Sequence, residues 1–151
     1  EDVDDLIDDK NSFSYYYEWL PKQDYNNLIL GKNCSCCAHL LGAGAGIMRA
    51  SMILDNCQNL VIRNENDKII AKMTIYVNKE EGYAVFNTAE VNMSYSLQKK
   101  QIFEAFIRGT NAFVERYKLM HVGFFAYSKE EGTVAANLPN QVDDEIKRIV
   151  L

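Results

Sequence analysis

Three cysteines and a histidine fall within six residues, at Cys34, Cys36, Cys37 and His39. Thiolate and imidazole groups are the usual ligands of zinc, which takes four of them, so these residues form a candidate metal site. The same residue types could form a nucleophilic site instead, because a reactive thiol needs a nearby proton acceptor and His39 follows Cys36 and Cys37 closely. The cluster therefore leaves three interpretations open: a metal site, a reactive thiol, or thiols with no chemical role.

Four ligands from six consecutive residues do not easily reach the corners of a tetrahedron. A zinc site would therefore recruit a distant ligand, for which Cys57 and His121 are available, and His121 could equally serve as the base for a thiol. The alternative is a group of reduced thiols in or beside the core, since free cysteine is commonly buried. Reduced thiols are expected because Cys36 and Cys37 are adjacent and rarely bridge each other.

A glycine-rich run, residues 42–46, follows the cysteines. It lacks the Gly-Lys-Ser/Thr of a phosphate-binding loop, and it does not have the strand before it that a dinucleotide fingerprint requires. We expect a flexible or closely packed connection that could line a ligand cleft with the cysteines. The apolar residues 47–53 fit either a helix or a buried strand.

The chain of 151 residues has a net charge of −5, with 21 acidic and 16 basic side chains. This acidic balance disfavours nucleic acid as a partner. No apolar run approaches the roughly 18 to 20 residues of a membrane span, and the acidic start is unlike a signal peptide, so the prediction is a cytoplasmic protein that does not enter a membrane. Residues 1–12 are expected to be an acidic arm, and 13–151 a single domain of a longer protein, since the first residue is not Met.

Hydrophobic spacing predicts the elements. The aromatic stretch 13–20 has helical spacing. Alternating or β-branched runs predict strands, and residues 69–77 are expected to bury one face and expose Lys72, Thr74 and Tyr76. A long amphipathic helix follows, with Ser94 or Ser96 as its N-cap. The predicted strands are 59–63, 69–77, 83–91 and 121–127, and the later helices are 96–118 and 142–151.

This order predicts a mixed α/β or α+β domain with a mostly antiparallel central sheet flanked by helices. The last strand is reached through a helical crossover and is expected to lie parallel to the third strand. Residues 59–127, less than half of the chain, resemble the acyl-CoA-dependent N-acetyltransferase (GNAT) superfamily in this order of hairpin, third strand, loop, long helix and strand. The resemblance implies that fold, with a further strand pair at the end that is not visible in this sequence.

The resemblance also implies a site. In GNAT enzymes the loop after the third strand and the start of the following helix hold the pyrophosphate of acetyl-CoA, in keeping with the affinity of helix N-termini for anions. The residues at the corresponding positions are Val91, Asn92, Gln98, Lys99, Lys100 and Gln101.

Two residues match the catalytic positions of the family. Glu90 corresponds to the carboxylate that often acts as the base near the third strand, and Tyr127 is a candidate for the acid that reprotonates the CoA thiolate. The alternative for Glu90 is a solvent-facing strand residue.

The cofactor motif departs from the family pattern Gln/Arg-x-x-Gly-x-Gly/Ala. Aligned from Gln98, this sequence has Gln101 and Phe103 where the family has glycines, so side chains would crowd a pyrophosphate, although Lys99 and Lys100 add positive charge. The implied function is acetyl transfer from acetyl-CoA to a small-molecule or peptide amine. The alternatives are a non-catalytic binding or structural module that uses residues 34–39 for a metal or partner, and a cysteine-dependent enzyme.

Overall fold

The structure is a computed structural model that describes residue 10 and residues 12–87, 89–119 and 121–123. Most of the predicted acidic arm, Tyr127 and the predicted helix 142–151 lie outside the described residues. None of the described helices combines the length and apolar character that crossing a membrane requires. The cytoplasmic location stays a prediction.

One twisted sheet organises the described part of the chain. Its strands are β1 (Tyr15–Leu20), β2 (Cys57–Asn64), β3 (Ile69–Asn78), β4 (Tyr83–Phe86), β5 (Glu90–Val91) and β6 (His121–Gly123). The spatial order is β1-β2-β3-β4-β6, and β5 pairs with β3 beyond the end of β4. The pairs are antiparallel except β4 with β6, which is parallel. The mostly antiparallel sheet and the parallel last strand confirm the predicted fold class.

In the described residues, three α-helices flank the sheet: α1 (Leu30–Asn33), α2 (Ala45–Ile53) and α3 (Lys99–Tyr117). Short 3-10 helices cover Tyr25–Leu28 and Met93–Gln98. Helix α2 settles the open choice between helix and strand for residues 47–53. The long predicted helix is divided, because its first residues form a 3-10 turn with Asn92, rather than Ser94 or Ser96, as the N-cap.

The prediction of a helix at residues 13–20 was wrong. Residues Tyr15–Leu20 form β1, which pairs with β2 so that Trp19 lies opposite Leu60. Tyr17 and Trp19 join the core on one side of the strand, whereas Leu20 joins the core on the other. Aromatic residues also favour strands, and burial of both sides gives no clean period of two.

Helix α3 covers one face of the sheet. Its buried side chains Ile102, Ala105 and Phe106 contact the alternating β3 residues and the aromatic residues of β1 in one continuous core. Trp19 stacks on Phe113 with ring centroids 4.6 Å apart. This is the buried face that the alternation in residues 69–77 predicted.

The other face is also buried, contrary to the expectation that Lys72, Thr74 and Tyr76 are exposed. Lys72 is 4% exposed and Thr74 is 1% exposed. Helices α1 and α2 pack against β2 and β3 on this side. The sheet therefore lies between two helical layers, as in α/β folds whose central strands contact helices on both faces.

A buried polar network supports this second face. The Asn59 carboxamide donates to Asn27 Oδ1 at 2.8 Å and to Ser51 Oγ at 2.9 Å, and it accepts from Thr74 Oγ1 at 2.7 Å. Asn27 in turn donates to the carbonyl of Pro21 at 2.9 Å. The network joins β2, β3, α2 and the 3-10 helix Tyr25–Leu28 through buried side chains.

Candidate functional site

The predicted base and the first predicted cofactor residue form β5. Lys72 lies opposite Glu90, and Ala71 lies opposite Val91, in the antiparallel pairing of β3 with β5. Glu90 is half-buried. Among the described residues, β4 pairs with β6 over Tyr83–Val85, and β5 pairs with β3.

The break between β4 and β5 creates this arrangement. The predicted third strand 83–91 is interrupted after Phe86, where the backbone N–H of Asn87 donates to the carbonyl of Thr74 at 2.8 Å. The chain returns to β3 only at Glu90. An irregular strand next to a loop is a common way of directing a side chain toward a site.

Asn92 organises the loop that follows. Its Oδ1 accepts from the backbone N–H of Ser94 at 2.9 Å, which caps the 3-10 helix. Its Nδ2 donates to the carbonyl of Asn33 at 2.6 Å. Asn92 was predicted to bind the cofactor, and its side chain is engaged within the chain at both ends.

The backbone N–H groups at the start of this loop are also engaged. The N–H of Asn92 donates to Ile70 O at 2.8 Å, and the N–H of Tyr95 donates to Asn92 O at 2.9 Å. The N–H of Met93 lies 3.4 Å from Ser35 Oγ. A phosphate would have to displace these acceptors, so the first turn of the loop does not offer the free N–H groups of a glycine-rich cradle.

Positive charge lies at the next turn, where α3 begins. Lys99 and Lys100 are exposed in the first turn of this 19-residue helix. Gln98 is the N-cap residue, and its buried Oε1 has no hydrogen-bond partner among the described residues. Gln101 is exposed and belongs to the helix, as does Phe103, so the positions aligned with the family's glycines are helical rather than part of the loop.

The cysteine segment lies beside this loop, although the two are far apart in sequence. The carbonyl of Asn33 and the hydroxyl of Ser35 accept the bonds from Asn92 and Met93 described above. The charges of Lys72 and Glu90 both act on the thiols of Cys34 and Cys36. The two candidate sites of the sequence are therefore one region.

The described residues give no support for the predicted zinc site at Cys34, Cys36, Cys37 and His39. Cys34 is buried, Cys36 is half-buried and Cys37 is exposed, and all are free thiols. Within the described residues, no group of three or more His, Cys, Asp or Glu side chains is placed to hold a metal ion. The thiols have different surroundings because Cys34 belongs to a small core with Leu20 and Leu30.

The surroundings of Cys34 and Cys36 disfavour the thiolate form that a nucleophile needs. Burial raises the pKa of both thiols above the ordinary value, so the thiolate is disfavoured. His39, the predicted ligand or base, has a buried Nδ1 that no group in the described part of the chain hydrogen-bonds. Neither observation supports a cysteine-dependent reaction.

The glycine run is a closely packed connection. A Cβ at Gly42 would lie 2.0 Å from the carbonyl oxygen of Cys37, and one at Gly44 would lie 3.1 Å from Cys37 Sγ. These glycines allow the chain to pass over the cysteine segment and enter α2. They pack against protein atoms, as one of the two sequence interpretations predicted.

The architecture is similar to that of several solved acetyltransferase structures. An aminoglycoside acetyltransferase from an uncultured soil metagenomic sample has a TM-score of 0.58 at 14% identity, over 79% of this chain and 83% of that one. The aminoglycoside 6'-N-acetyltransferase of Acinetobacter baumannii has a TM-score of 0.55 at 12% identity, and the match covers 90% of this chain and 86% of that one. The ribosomal-protein-alanine N-acetyltransferase of Brucella melitensis has a TM-score of 0.54 at 13% identity, and the match covers 75% of this chain and 80% of that one.

The chain has the GNAT fold. At these identities the likeness concerns the fold alone, and it confirms the resemblance found in the sequence. No family model matches the sequence.

Sequence relatives give a different and narrower match. A segment of 36 residues, 24% of this chain, is 58% identical to 8% of the ribosomal protein uS12 methylthiotransferase RimO of Thermosynechococcus vestitus. A longer match to RimO of Prochlorococcus marinus is 36% identical over 81 residues, 54% of this chain and 16% of that enzyme. The chain thus spans a small part of the length of these relatives.

Within the GNAT fold, sequence reasoning missed Lys72. The alternation of β3 placed it with Thr74 and Tyr76 on a solvent-facing side, but it is buried opposite Glu90. The signal that could have found it is the resemblance itself, because helices on both faces of a sheet bury both sides of its central strands.

One open cleft lies away from these residues. It has a volume of about 500 Å³ and is lined by the turn before β2 and the adjoining ends of β3 and β4, including Asn56, Tyr76 and Tyr83. It contains none of the predicted site residues. Glu90 lies elsewhere in the fold, immediately before the loop that hydrogen-bonds to the cysteine segment and leads to α3.

Proposed function

We propose that this domain binds acetyl-CoA at the end of β5 and the start of α3 and transfers the acetyl group to an amine. The observation that carries the proposal is the position of Glu90. Its carboxylate lies on a short strand that is paired on the β3 side, immediately before the loop and helix whose N-terminus carries Lys99 and Lys100. The proposed base and the proposed anion-binding helix start are thus joined by a single loop.

Acetyl-CoA supplies the thioester that is cleaved in the transfer. Glu90 would take a proton from the ammonium of the acceptor, because only the neutral amine has a lone pair for the carbonyl carbon. The carbon–sulfur bond then breaks, and the sulfur leaves as a thiolate that takes up a proton. Tyr127 stays a predicted proton donor, since it lies outside the described residues.

Positive charge, rather than a glycine cradle, would hold the pyrophosphate. The N–H groups of Asn92, Met93 and Tyr95 already have acceptors within the chain. Lys99 and Lys100 are exposed at a helix N-terminus, where the helix dipole adds to their attraction for phosphate. Val91 and Gln98 would border the bound cofactor at the two ends of the loop.

Titration calorimetry with acetyl-CoA tests the binding step. We expect saturable binding that weakens about tenfold, or about 1.4 kcal/mol, when Lys99 and Lys100 are both replaced by Ala. The matched control replaces Arg49 and Lys68, two exposed cations on other elements, and removes the same charge. Absence of saturable binding to the native protein at millimolar acetyl-CoA would exclude this function, and an equal loss in the control would exclude the lysine site.

Acetyl transfer to a panel of amines tests the chemistry. Glu90→Gln should lower the rate of transfer by roughly 10²- to 10⁴-fold, since it removes the base, and should leave the Kd for acetyl-CoA within about twofold. A matched control is Glu65→Gln, at an exposed position in the turn before β3. Unchanged transfer by Glu90→Gln would remove Glu90 from the mechanism.

One observation favours a second function, a non-catalytic binding module with the GNAT fold. The loop at the start of the predicted cofactor site is closed by its own hydrogen bonds and has no glycines. Such a domain would bind neither CoA nor acetyl-CoA in the calorimeter. The same titration therefore separates the two functions.

A further inference from the structure

The solvent face of α3 begins with two lysines and two large apolar residues. Lys99 lies one turn before Phe103, and Lys100 lies three positions before it, while Ile107 lies one turn after Phe103. Residues three or four positions apart are neighbours on a helix surface, so these four side chains form one continuous α3 strip. The first nine residues of α3 contain one acid, Glu104, so the two lysines leave a net positive charge.

The apolar side chains of the α3 strip are unexpected on this side of the helix. The outward face of an amphipathic helix is normally polar. Phe103 is nevertheless 44% exposed and Ile107 is 58% exposed, and the 3-10 helix before α3 adds Met93 and Leu97 at 78% and 93%. Several exposed apolar side chains next to a cationic end indicate a binding surface.

The chain enters the described structure alongside α3. The guanidinium carbon of Arg108 lies 3.6 Å from the centre of the Phe13 ring, and Arg108 also donates to the carbonyl of Tyr15 at 2.8 Å. Arg108 directly follows Ile107 in the sequence. Residues 13–15 are therefore fastened to the same helix that carries the α3 strip.

The first described residue, Lys10, lies near the start of this helix. Its ammonium forms a 2.9 Å salt bridge with Asp67 in the turn between β2 and β3. At the start of the same turn, Asn64 donates to the hydroxyl of Tyr95 at 2.9 Å, four positions before α3 begins. The attachment point of residues 1–9 is therefore at the end of the sheet where α3 begins, and nine residues can span up to about 30 Å.

The sequence of residues 1–9 complements the α3 strip. Six of the nine are acidic, and the other three are Val3, Leu6 and Ile7. These three apolar residues fall at i, i+3 and i+4, a spacing that places side chains on one side of a helical turn. A segment with one apolar side and surrounding carboxylates matches an apolar surface that ends in two lysines.

We propose that residues 1–9 dock on the α3 strip, with their apolar side on Phe103 and Ile107 and their carboxylates beside Lys99 and Lys100. The contact is autoinhibitory, because the same lysines attract the phosphates of acetyl-CoA in the proposed function, on which this part of the inference rests. The segment and acetyl-CoA compete for one cationic surface. The measured affinity for acetyl-CoA is therefore reduced to the fraction of molecules in which that surface is free.

Carbodiimide cross-linking tests the docking without any cofactor, because the reagent joins a carboxylate and an amine that are in contact. In the native protein we expect cross-links from the acids of residues 1–9 to Lys99 and Lys100, identified by mass spectrometry. The salt bridge of Lys10 with Asp67 is the internal positive control. Absence of the first cross-links where the control pair reacts would overturn the proposal.

Variants of the apolar residues test whether the α3 strip holds the segment. The double variant Phe103→Ser/Ile107→Ser should lower the yield of these cross-links at least about fivefold, because the apolar contacts are lost. The matched control is Leu40→Ser/Leu41→Ser, at two exposed apolar residues outside α3. An unchanged yield in the double variant, or an equal fall in the control, would overturn the docking.

Isotope mixing distinguishes the occupant of the strip. Equal amounts of ¹⁴N- and ¹⁵N-labelled protein are mixed before the reagent is added. Docking within one chain gives cross-links between segments of the same label. Cross-links that join the two labels would assign the strip to a second copy and overturn the intramolecular contact.

Titration with acetyl-CoA tests the autoinhibition. The triple variant Asp4→Asn/Asp5→Asn/Asp8→Asn should bind acetyl-CoA at least about threefold more tightly than the native protein, because fewer carboxylates compete for the lysines. The control removes the same number of charges, by Gln substitution, from exposed turns at Glu65, Glu80 and Glu81. Equal affinity of the native protein and the Asp variant, or an equal gain in the control, would overturn the autoinhibition.

The two experiments separate the docking from the proposed function. Cross-links that depend on Phe103 and Ile107, without acetyl-CoA binding by any variant, would support the docking and remove the acetyltransferase function. Binding of acetyl-CoA to a native protein that forms no such cross-links would remove the docking and leave acetyl transfer standing.

Discussion

The carboxamide of Asn92 donates a 2.6 Å hydrogen bond to the backbone carbonyl of Asn33. The bond spans 59 positions in the sequence and fastens the loop after β5 to the segment that carries Cys34 and Cys36. The same carboxamide caps the 3-10 helix through Ser94. One side chain thus fixes both the shape of the proposed cofactor loop and its distance from the cysteines.

Replacement of Asn92 by Ala should destabilise the domain. It removes an N-cap bond and leaves the Asn33 carbonyl without this donor, so we expect the free energy of unfolding to fall by about 1 to 3 kcal/mol. Urea denaturation measures this change in the free energy of unfolding. Asn66→Ala is the matched control, because Asn66 is exposed in the turn before β3. Equal stability of the two variants would mean that the Asn92 bonds contribute nothing.

A larger effect is expected at Asn59. Its carboxamide bonds with three buried side chains, so Asn59→Ala leaves Asn27, Ser51 and Thr74 each short of a partner. The cost should be about 2 to 4 kcal/mol, since buried polar groups lose both water and partner. Thermal unfolding measures this loss of stability, and Asn56→Ala, at an exposed position, is the control. A loss below about 1 kcal/mol would show that water replaces the missing bonds.

The sequence predicted the strands that have local partners. β2 and β3 form a hairpin whose alternation is visible without the structure, and α3 has a long helical period with clear polar positions. β1 was missed because its partner β2 begins 37 positions after β1 ends. Its burial on both sides leaves aromatic residues at spacings that also fit a helix.

The candidate site likewise combines features that follow from the local sequence with features that depend on distant segments. The positions of Glu90 after the third strand, and of Lys99 and Lys100 at the start of the long helix, could be predicted because they follow the order of elements along the chain. The approach of the cysteine segment to Asn92 could not, because it depends on hydrogen bonds between distant segments. The burial of Lys72 could not be predicted from β3 alone, since a period of two is the same whether the second face meets water or a helix.

Stability should decline in alkaline solution because of Cys34. Burial raises the pKa of its thiol above the ordinary value of 9.0, so the unfolded chain loses this proton first as the pH rises. The contribution is complete below about pH 9 and is lost as the pH rises toward the higher pKa of the folded state.

Cys34→Ala should make the fall in stability between about pH 8 and pH 10.5 shallower, by up to about 1.4 kcal/mol per pH unit. Denaturant unfolding at each pH gives the slope, which is compared rather than the absolute stability because the substitution also leaves a small cavity. Cys37→Ala, at an exposed thiol, is the control. If both variants have the native slope, the burial of Cys34 does not control the alkaline transition.

The same substitution should have opposite effects at two helical glycines. A Cβ at Gly109 of α3 would lie 2.9 Å from Leu60 Cδ1 and 3.0 Å from Tyr17 Cγ, in the centre of the core. Gly109→Ala gains helix propensity of about 1 kcal/mol but overpacks the contact between α3 and the sheet by about 1 to 3 kcal/mol. We expect a net loss of stability at this position.

Gly46 of α2 is the matched control, because a Cβ there would meet nothing within 4 Å. Gly46→Ala should therefore raise stability by about 0.5 kcal/mol, since only the helix propensity changes. Thermal unfolding of both variants measures the difference in sign. If Gly109→Ala were as stabilising as Gly46→Ala, α3 could not lie as close to Leu60 as it does here. The close approach of α3 to β2 would then have to be abandoned, and with it the fixed position of the helix N-terminus relative to Glu90.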